Sequence, residues 1–329
     1  MLRGALGVAI SLVSIYIVLG SVDLAEAAEV LRGAAPAWIA LMLMAVLVDV
    51  GARGARWRVL LAPIAVVPYR RVLGYTYQGY LANNVLPARL GELVRTHALG
   101  EGEGLSRTTV LGTVAVERIV DTVMVVAIAA VSVLVLGVRG FITSAVLLGA
   151  AFVTLLCIGL ALGVVAHRLP GAARVTRSIE RWPKVIELGR RLQDGLAVAS
   201  RPRTMTGAII LSLAAWTAST ITFLAGGQAV GIELTVAQGA LIGSGVALAS
   251  IVPSGPGYVG TFELTAVAIA DALGIDRDAA FAMALLIHAA ILLVTSVGGV
   301  VAIAALRRGR PGRIPVAAAT GPGIDEPPA

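Results

Sequence analysis

The sequence lacks most of the features from which a catalytic or metal-binding domain is built. Only 14% of its 329 residues are charged, 5% are aromatic and one is a cysteine. A lone Cys157 excludes an intramolecular disulfide and a thiolate metal cluster. His97, His167 and His288 are far apart and form no metal-binding motif such as HExxH. The residues therefore predict no metal, no cofactor and no catalytic group.

No polar stretch is long enough to build a second core, whereas apolar residues are abundant. Hydrophobic residues make up 58% of the chain and the mean hydropathy is +0.91, while a soluble domain is about half apolar and a quarter charged. Long apolar runs placed in lipid must satisfy their own backbone polar groups, which favours helices. We predict an all-α, polytopic integral membrane protein with one domain, residues 1–306, and a disordered cytoplasmic tail, residues 307–329.

The net charge of +7 does not indicate nucleic-acid binding, because the arginines lie in particular loops between apolar runs. Such a distribution is typical of residues that orient a chain in the cytoplasmic membrane. The expected partners are membrane lipids with a phosphate-bearing headgroup.

Six runs are long enough to cross the ~30 Å hydrocarbon core at a rise of 1.5 Å per residue. Trp38 and Trp57 lie about one bilayer apart around the second run, so we expect both at the membrane interfaces. The six predicted spans are Gly4–Gly20, Pro36–Arg53, Thr109–Leu136, Phe141–Val165, Met205–Gly226 and Ala279–Leu306.

Loop charge predicts the orientation. The loop at residues 167–204 is strongly basic, whereas the Val22–Ala35 segment is acidic. Basic loops stay in the cytoplasm, so both termini are predicted to be cytoplasmic. A second cytoplasmic loop is predicted from the arginines without acidic neighbours, which are Arg53, Arg56, Arg58, Arg70 and Arg71.

Two further apolar segments, Val72–Arg107 and Leu234–Asp278, must begin and end on the same side for this orientation to hold. Each contains a Pro/Gly-rich break between short arms, at Pro87 and at Pro253 with Pro256. We predict two re-entrant hairpins; eight transmembrane helices are the alternative. The halves, about 1–137 and 141–306, then share the order span, span, hairpin, span as an inverted repeat.

Both breaks carry a motif. The first reads N-x-x-x-P-x-R-x-G-E-x-x-R from Asn83 to Arg95, and the second reads P-x-x-P-G-x-x-G-x-x-E from Pro253 to Glu263. In this order they resemble the flippase-like membrane domain of lysylphosphatidylglycerol synthases and their stand-alone relatives. The likeness covers residues 1 to about 306, and the charged segment from Glu117 to Asp121 also resembles a family element.

The resemblance implies translocation of a phospholipid, an aminoacyl-phospholipid or a polyprenyl-phosphate-linked glycolipid. The sequence ends at Ala329 without the soluble aminoacyltransferase domain of the synthases, so we expect no aminoacyl transfer and name a separate lipid-modifying enzyme as a further partner. The alternatives are a secondary transporter for a small molecule or ion, and a membrane enzyme acting on a lipid-linked substrate.

The first break suggests a phosphate site. A helix that restarts at Gly91 presents free backbone N–H groups, which attract an anion at membrane depth. Arg89 and Arg95 could add charge-assisted bonds, and Asn83 and Asn84 neutral ones. Gly257 and Gly260 offer the same helix start at the second break.

The carboxylates suit an anion less well. We assign Glu92 and Glu263 to a substrate amine, to pairing with an arginine or to proton coupling, with a Glu92–Arg95 pair as the structural alternative. Glu117 and Asp121 share a helix face and repel unless a cation intervenes, and Arg118 reaches Asp121. The predicted substrate-binding set is Asn83, Asn84, Arg89, Gly91, Glu92, Arg95, Glu117, Arg118, Asp121, Gly257, Gly260 and Glu263.

Two further groups are interpreted from their depth in the spans. Asp49 and Arg53 form a predicted intrahelical pair that favours a polar cavity wall. His288 lies mid-span, where a neutral histidine bonded to a neighbouring helix is favoured over a proton relay.

Overall fold

The computed structural model describes residues 2–86, 90–165, 183–251 and 254–308. Within these ranges all regular secondary structure is helical, as predicted. Pro87, Arg89 and Pro253 lie outside the described residues, and so does the tail from residue 309.

The first six helices build the first half of the chain. Their bounds are α1 Leu2–Leu19, α2 Leu24–Arg32, α3 Pro36–Leu61, α4 Tyr69–Val85, α5 Gly91–Gly102 and α6 Arg107–Leu136.

Six further helices build the second half, with short 3₁₀ turns at Ala197–Ser200 and Pro256–Tyr258. They are α7 Phe141–Val165, α8 Pro183–Leu196, α9 Pro202–Ala229, α10 Val236–Ala249, α11 Thr261–Ala272 and α12 Arg277–Arg308.

Local sequence explains where several helices begin and end. The side chains of Asp23 and Ser106 accept backbone N–H groups at the starts of α2 and α6, which is the usual role of these residue types. Thr235 and Gln238 form a capping box at the start of α10. Gly137 ends α6 in the left-handed conformation, where glycine is favoured.

All six predicted spans are helices. Four of them, α3, α6, α9 and α12, have the length and hydropathy to cross a membrane, and α1 with α2 would make a fifth across an 85° bend. The predicted end of the second span was wrong, because α3 continues to Leu61. Arg56 and Trp57 therefore lie in the helix and are both 0% exposed, so Trp57 is not an interface residue and Arg56 is not a loop charge.

The predicted basic loop at residues 167–204 is helical in its described part. α8 packs on the start of α6, where Gly195 lies against Gly112 and the Thr109 carbonyl group. A side chain at Gly195 would collide with that backbone. The start of the predicted tail is likewise helical, since α12 continues through Arg308.

Two helix pairs are interrupted where the sequence predicts breaks. α4 and α5 pack against each other around the first break, and α10 and α11 around the second. At 17 and 14 residues, α4 and α10 are only about 26 Å and 21 Å long. In the described residues each half thus has two long helices with a shorter helix between them, then a broken pair and a last long helix, in the same order.

Packing between the halves is reciprocal. α3 makes its largest contact with α9, and these are the second long helices of their halves. α4 from the first broken pair packs on α12, while α10 from the second broken pair packs on α6. Each half therefore places an arm of its broken pair against the last helix of the other half.

Candidate functional site

A cavity of about 310 Å³ lies between the two breaks. The first half contributes polar side chains to it from α3, α4, α5 and α6, which are Asp49, Arg53, Tyr80, Asn83, Asn84, Glu92, Arg118 and Asp121. The second half contributes mainly apolar side chains from α9 to α12, including Trp216, Phe223, Val246, Leu248, Phe262, Ile291 and Leu292. One wall of the cavity is therefore charged, and the other is mainly apolar but also carries His288 and several hydroxyl groups.

Arg56 is the centre of the charged wall, although it does not line the cavity itself. Its guanidinium group donates to both carboxylate oxygens of Asp121, at 2.5 and 2.9 Å, and to Glu117 at 3.1 Å. It also donates to the Ser212 hydroxyl group at 3.0 Å. Arg56 is thus one of two cations that allow Glu117 and Asp121 to share one helix face, and it links α3 to α6 and α9. Arg118 is the other, since it pairs with Glu117 at 2.6 Å and with Asp121 at 3.0 Å.

Arg53 and Arg118 carry the positive charge at the cavity surface. Arg53 pairs with Asp49 at 2.8 Å, as predicted, and its guanidinium group lies 5.0 Å above the ring of Trp216. Arg118 pairs with Asp121 at 3.0 Å, also as predicted. The Arg118 side chain is 40% exposed and lies only 3.8 Å from Glu92. It is consequently the most accessible cation of the charged wall.

Arg95 stands behind the cavity. Its guanidinium group is 3.1 Å from Glu117 and lies 4.5 Å above the ring of Trp57. The structural alternative of a Glu92–Arg95 pair was wrong, since Glu92 faces Arg118 instead. A buried arginine that stacks on an aromatic ring and faces a carboxylate stabilises the packing of α5 on α3 and α6.

Four arginines and four carboxylates make up this cluster, so its charges balance when all eight groups are ionised. Two of the arginines and three of the carboxylates line the cavity. The charged wall consequently offers hydrogen-bond donors and acceptors to a ligand. Its members are Arg53, Arg56, Arg95, Arg118, Asp49, Glu92, Glu117 and Asp121.

The first break is closed by its own side chains. The Gly91 N–H group donates to the Asn83 side-chain oxygen at 2.7 Å, so the prediction of a free N–H group at Gly91 was wrong. A Cβ on Gly91 would collide with the Gly79 carbonyl group. Asn84 donates to Thr295 and Ser296 at 2.8 and 2.9 Å, which ties the first break to α12.

The second break is closed in the same way. The Gly260 N–H group donates to Glu263 at 2.7 Å, so this predicted anion site is also occupied from within. The other Glu263 oxygen lies 2.6 Å from His288 Nδ1. Pairing of Glu263 with an arginine was therefore wrong, whereas the prediction that His288 bonds to a neighbouring helix is confirmed.

Some buried donors around the cavity have no acceptor among the described residues. They include the Trp216 indole N–H group and the Arg118 Nε–H group. Trp216 is 6% exposed and lines the cavity. A buried donor without a partner is costly.

The predicted site residues fall into three groups by position, and their binding roles stay predictions. Asn83, Asn84, Glu92, Arg118, Asp121 and Gly257 line the cavity. Arg89, Pro87 and Pro253 are outside the described residues. Absent from the cavity lining are Gly91, Arg95, Glu117, Gly260, Glu263 and the break residue Pro256.

Sequence reasoning missed several residues of this site, among them Arg56 and Trp216. Arg56 was assigned to a loop because its partners are 61 and 65 positions away. Trp216 lies in an apolar run, where a single tryptophan gives no sequence signal of a binding site. The one available signal was that Arg56 follows Arg53 by three positions, on the face that Asp49 begins.

Comparison with known proteins decides the family. The model of the lysylphosphatidylglycerol synthase TM region matches residues 4–299. The chain belongs to this family. The family is described as a transmembrane region, and the apolar helices of this chain agree with that description. It is a multi-pass membrane protein of the lysylphosphatidylglycerol synthase TM region family.

A curated relative outside the synthases is also similar. The present chain is 29% identical to the glycosyltransferase AglD of Haloferax volcanii over 334 aligned positions. The match covers 89% of this chain and 52% of the relative. The chain therefore spans about half the length of the curated relative, and both comparisons indicate a function related to membrane lipids.

Proposed function

We propose that this protein is a lipid translocase. It moves a phospholipid, an aminoacyl-phospholipid or a polyprenyl-phosphate-linked glycolipid across the cytoplasmic membrane by alternating access. The observation that carries the proposal is the cavity between the two breaks, with a charged wall from one half and a mainly apolar wall from the other.

A lipid has a polar part and an apolar part, and these match the two walls of the cavity. Its headgroup carries a phosphate with several acceptor oxygens, and its chains are apolar. A volume of about 310 Å³ is at the lower end for small-molecule sites, so it receives the headgroup while the chains stay in the bilayer. Arg118 is the proposed phosphate anchor, because it lines the cavity and is the most exposed arginine of the charged cluster.

The reciprocal packing of the halves supports the inverted repeat. Two halves related by a twofold axis in the membrane plane would exchange contacts in the way that α4 with α12 and α10 with α6 do. We propose that both broken pairs are re-entrant and that their breaks meet near the bilayer midplane. With this topology and the loop charge, we propose that both termini are cytoplasmic.

An enzyme acting on a lipid-linked substrate is the second candidate. It is favoured by the curated relative, which is named a glycosyltransferase. Formation of a new glycolipid by the purified protein with a sugar donor, without movement of lipid between leaflets, would favour it over translocation.

Reconstitution of the full chain into vesicles tests the proposal. The vesicles carry in separate batches a trace of fluorescent phosphatidylglycerol, lysyl-phosphatidylglycerol or a polyprenyl-phosphate sugar, and a membrane-impermeant quencher reports the exposed leaflet. We expect at least one probe to cross faster than in protein-free vesicles. Ser219→Phe places a ring in the cavity without changing any charge, and we expect it to stop this movement.

Two controls make the result specific. Arg118→Gln should slow movement, whereas Arg139→Gln, which removes an exposed arginine outside the cavity, should leave the rate unchanged. The thermal stability of each variant shows whether it has folded. Equal rates for the wild type and folded Ser219→Phe, or no movement of all three probes, would contradict the proposal.

A further inference from the structure

The imidazole ring of His288 is held at both nitrogen atoms. Nε2 lies 2.7 Å from the Gly257 carbonyl oxygen, and Nδ1 lies 2.6 Å from the Glu263 carboxylate. A carbonyl oxygen only accepts hydrogen bonds. Nε2 must therefore carry a proton, which fixes one side of the ring.

The short contact at Nδ1 then requires a second proton. If Nδ1 is bare, its lone pair faces a carboxylate oxygen that must itself be protonated to donate. If Glu263 is ionised, Nδ1 must carry the proton and the ring is an imidazolium. In both cases one proton lies between Glu263 and His288 and the pair has no net charge.

We propose that the Glu263–His288 pair is a proton-binding site that holds the second break in its observed shape. The site binds a proton, and the backbone from Ser254 to Gly260 is released when this proton is lost. The proposal goes beyond lipid translocation, because this segment would respond to pH whatever the protein carries.

Loss of the proton would act directly on the backbone. A bare Nδ1 would face an ionised carboxylate across 2.6 Å, and the two lone pairs repel. The same two side chains hold the break at its ends, since His288 bonds the Gly257 carbonyl group and Glu263 bonds the Gly260 N–H group. Separation of the pair therefore releases at least one end.

The segment from Ser254 to Gly260 contains strained backbone. Tyr258 has φ 60° and is the one non-glycine residue in the described chain with a positive φ. Gly257 and Gly260 on either side have φ 65° and 86°. A bulky residue in the left-handed region is strained and persists only when its surroundings fix it.

Few other titratable groups can take over the role of this pair. α10 has none, and α11 has only Glu263 and Asp271, of which Asp271 pairs with Arg277 at 2.8 Å. Apart from His288, the charged residues of α12 are at its ends. α1 contributes the hydroxyl group of Ser11, which accepts the Gly255 N–H group at 2.8 Å. The titratable groups facing the pair from the break and across the cavity are Tyr258, Tyr80, Asp49, Arg53, Glu92, Arg118 and Asp121.

The pair can exchange its proton through the cavity. His288 and Gly257 line the cavity, and so does Phe262. The Phe262 ring stacks on the imidazole ring with centroids 4.3 Å apart and planes 14° apart. This stack covers one face of His288 and leaves the cavity side as the route for the proton.

Glu263→Gln is a matched variant for the test. Its amide NH₂ group can donate to a bare Nδ1 and its oxygen can accept the Gly260 N–H group, so it reproduces the bonds of the protonated pair and removes the titration of the carboxyl group at position 263. The reporter is Val259→Cys in a Cys157→Ser background, because Val259 is 43% exposed within the break. The full chain in lipid nanodiscs is labelled with a water-soluble maleimide between pH 5 and 9.

The labelling rate with Glu263 is divided by the rate with E263Q at the same pH, which cancels the ionisation of the thiol itself. We expect this ratio to rise by about threefold or more as pH increases, because proton loss releases the break. A constant ratio would overturn the proposal. Failure of E263Q to fold would also overturn it, because the amide keeps the bonds of the protonated pair. Neither readout depends on lipid movement.

Discussion

Arg56 links three helices of this protein through its hydrogen bonds. It is fully buried and joins two carboxylates of α6 to α3 and α9. Buried charges are tolerated only when paired and hydrogen-bonded. The sequence could predict that Glu117 and Asp121 need a cation and that Arg118 reaches Asp121, but not the part of Arg56, because Arg56 meets them only after α3 and α6 have packed.

Replacing Arg56 with methionine should destabilise the protein strongly. Two buried carboxylates lose their main partner, which typically costs about 3–5 kcal/mol. We expect a much lower apparent melting temperature in detergent. Ser212→Ala is the control, since it removes one neutral bond to Arg56 worth about 1 kcal/mol. If the added change Asp121→Asn restored no stability to Arg56→Met, the pairing described for the cluster would be incorrect.

Glu92 should control the charge of the cavity. Glu92→Gln leaves Arg118 with one carboxylate fewer nearby, so an anionic headgroup meets a more positive wall. We expect purified Glu92→Gln to retain anionic phospholipid about fivefold more tightly than the wild type, which corresponds to about 1 kcal/mol. Native mass spectrometry measures this. Glu101→Gln changes an exposed carboxylate on the same helix and should have no effect; equal retention by both variants would argue against Arg118 as the anchor.

Each broken helix pair depends on one side chain that closes the gap. Asn83 accepts the first N–H group of α5, and Glu263 accepts the N–H group of Gly260 before α11. The Pro/Gly-rich motifs predicted where the helices stop. They also suggested free N–H groups for a ligand, but those of Gly91 and Gly260 are already bound, because an acceptor eight or three residues away reaches the gap first. Whether a helix start is free depends on side-chain geometry that spacing alone does not fix.

The attachment of α8 offers a test at the scale of one helix. Gly195 lies against the backbone of α6, whereas Gly189 on the same helix has open space around it. We expect Gly195→Ala to separate α8 from α6 and to accelerate hydrogen exchange across Pro183–Leu196 by about tenfold or more. Gly189→Ala should leave exchange slow, since alanine is a better helix former than glycine. Equal exchange in both variants would contradict the observed packing.

At the scale of the whole molecule, the sequence predicted the class and the order of elements well. Long apolar runs and two Pro/Gly breaks are local signals, and all six runs and both breaks appear where expected. The contacts between halves are not local. Asn84 bonds to residues 211 and 212 positions away, and only the folded chain shows that the charged wall and the apolar wall enclose one space.

Oxidative cross-linking in native membranes tests most directly whether the first break packs against α12 of the other half. In a Cys157→Ser background, Asn84→Cys is paired with Ser296→Cys, whose native side chains are 2.9 Å apart. Asn84→Cys paired with Ser144→Cys, an exposed position on α7, is the control. We predict rapid disulfide formation for the first pair alone. A yield for Asn84→Cys with Ser296→Cys no higher than that of the control would contradict the cavity between the breaks, and with it the proposed site of lipid movement.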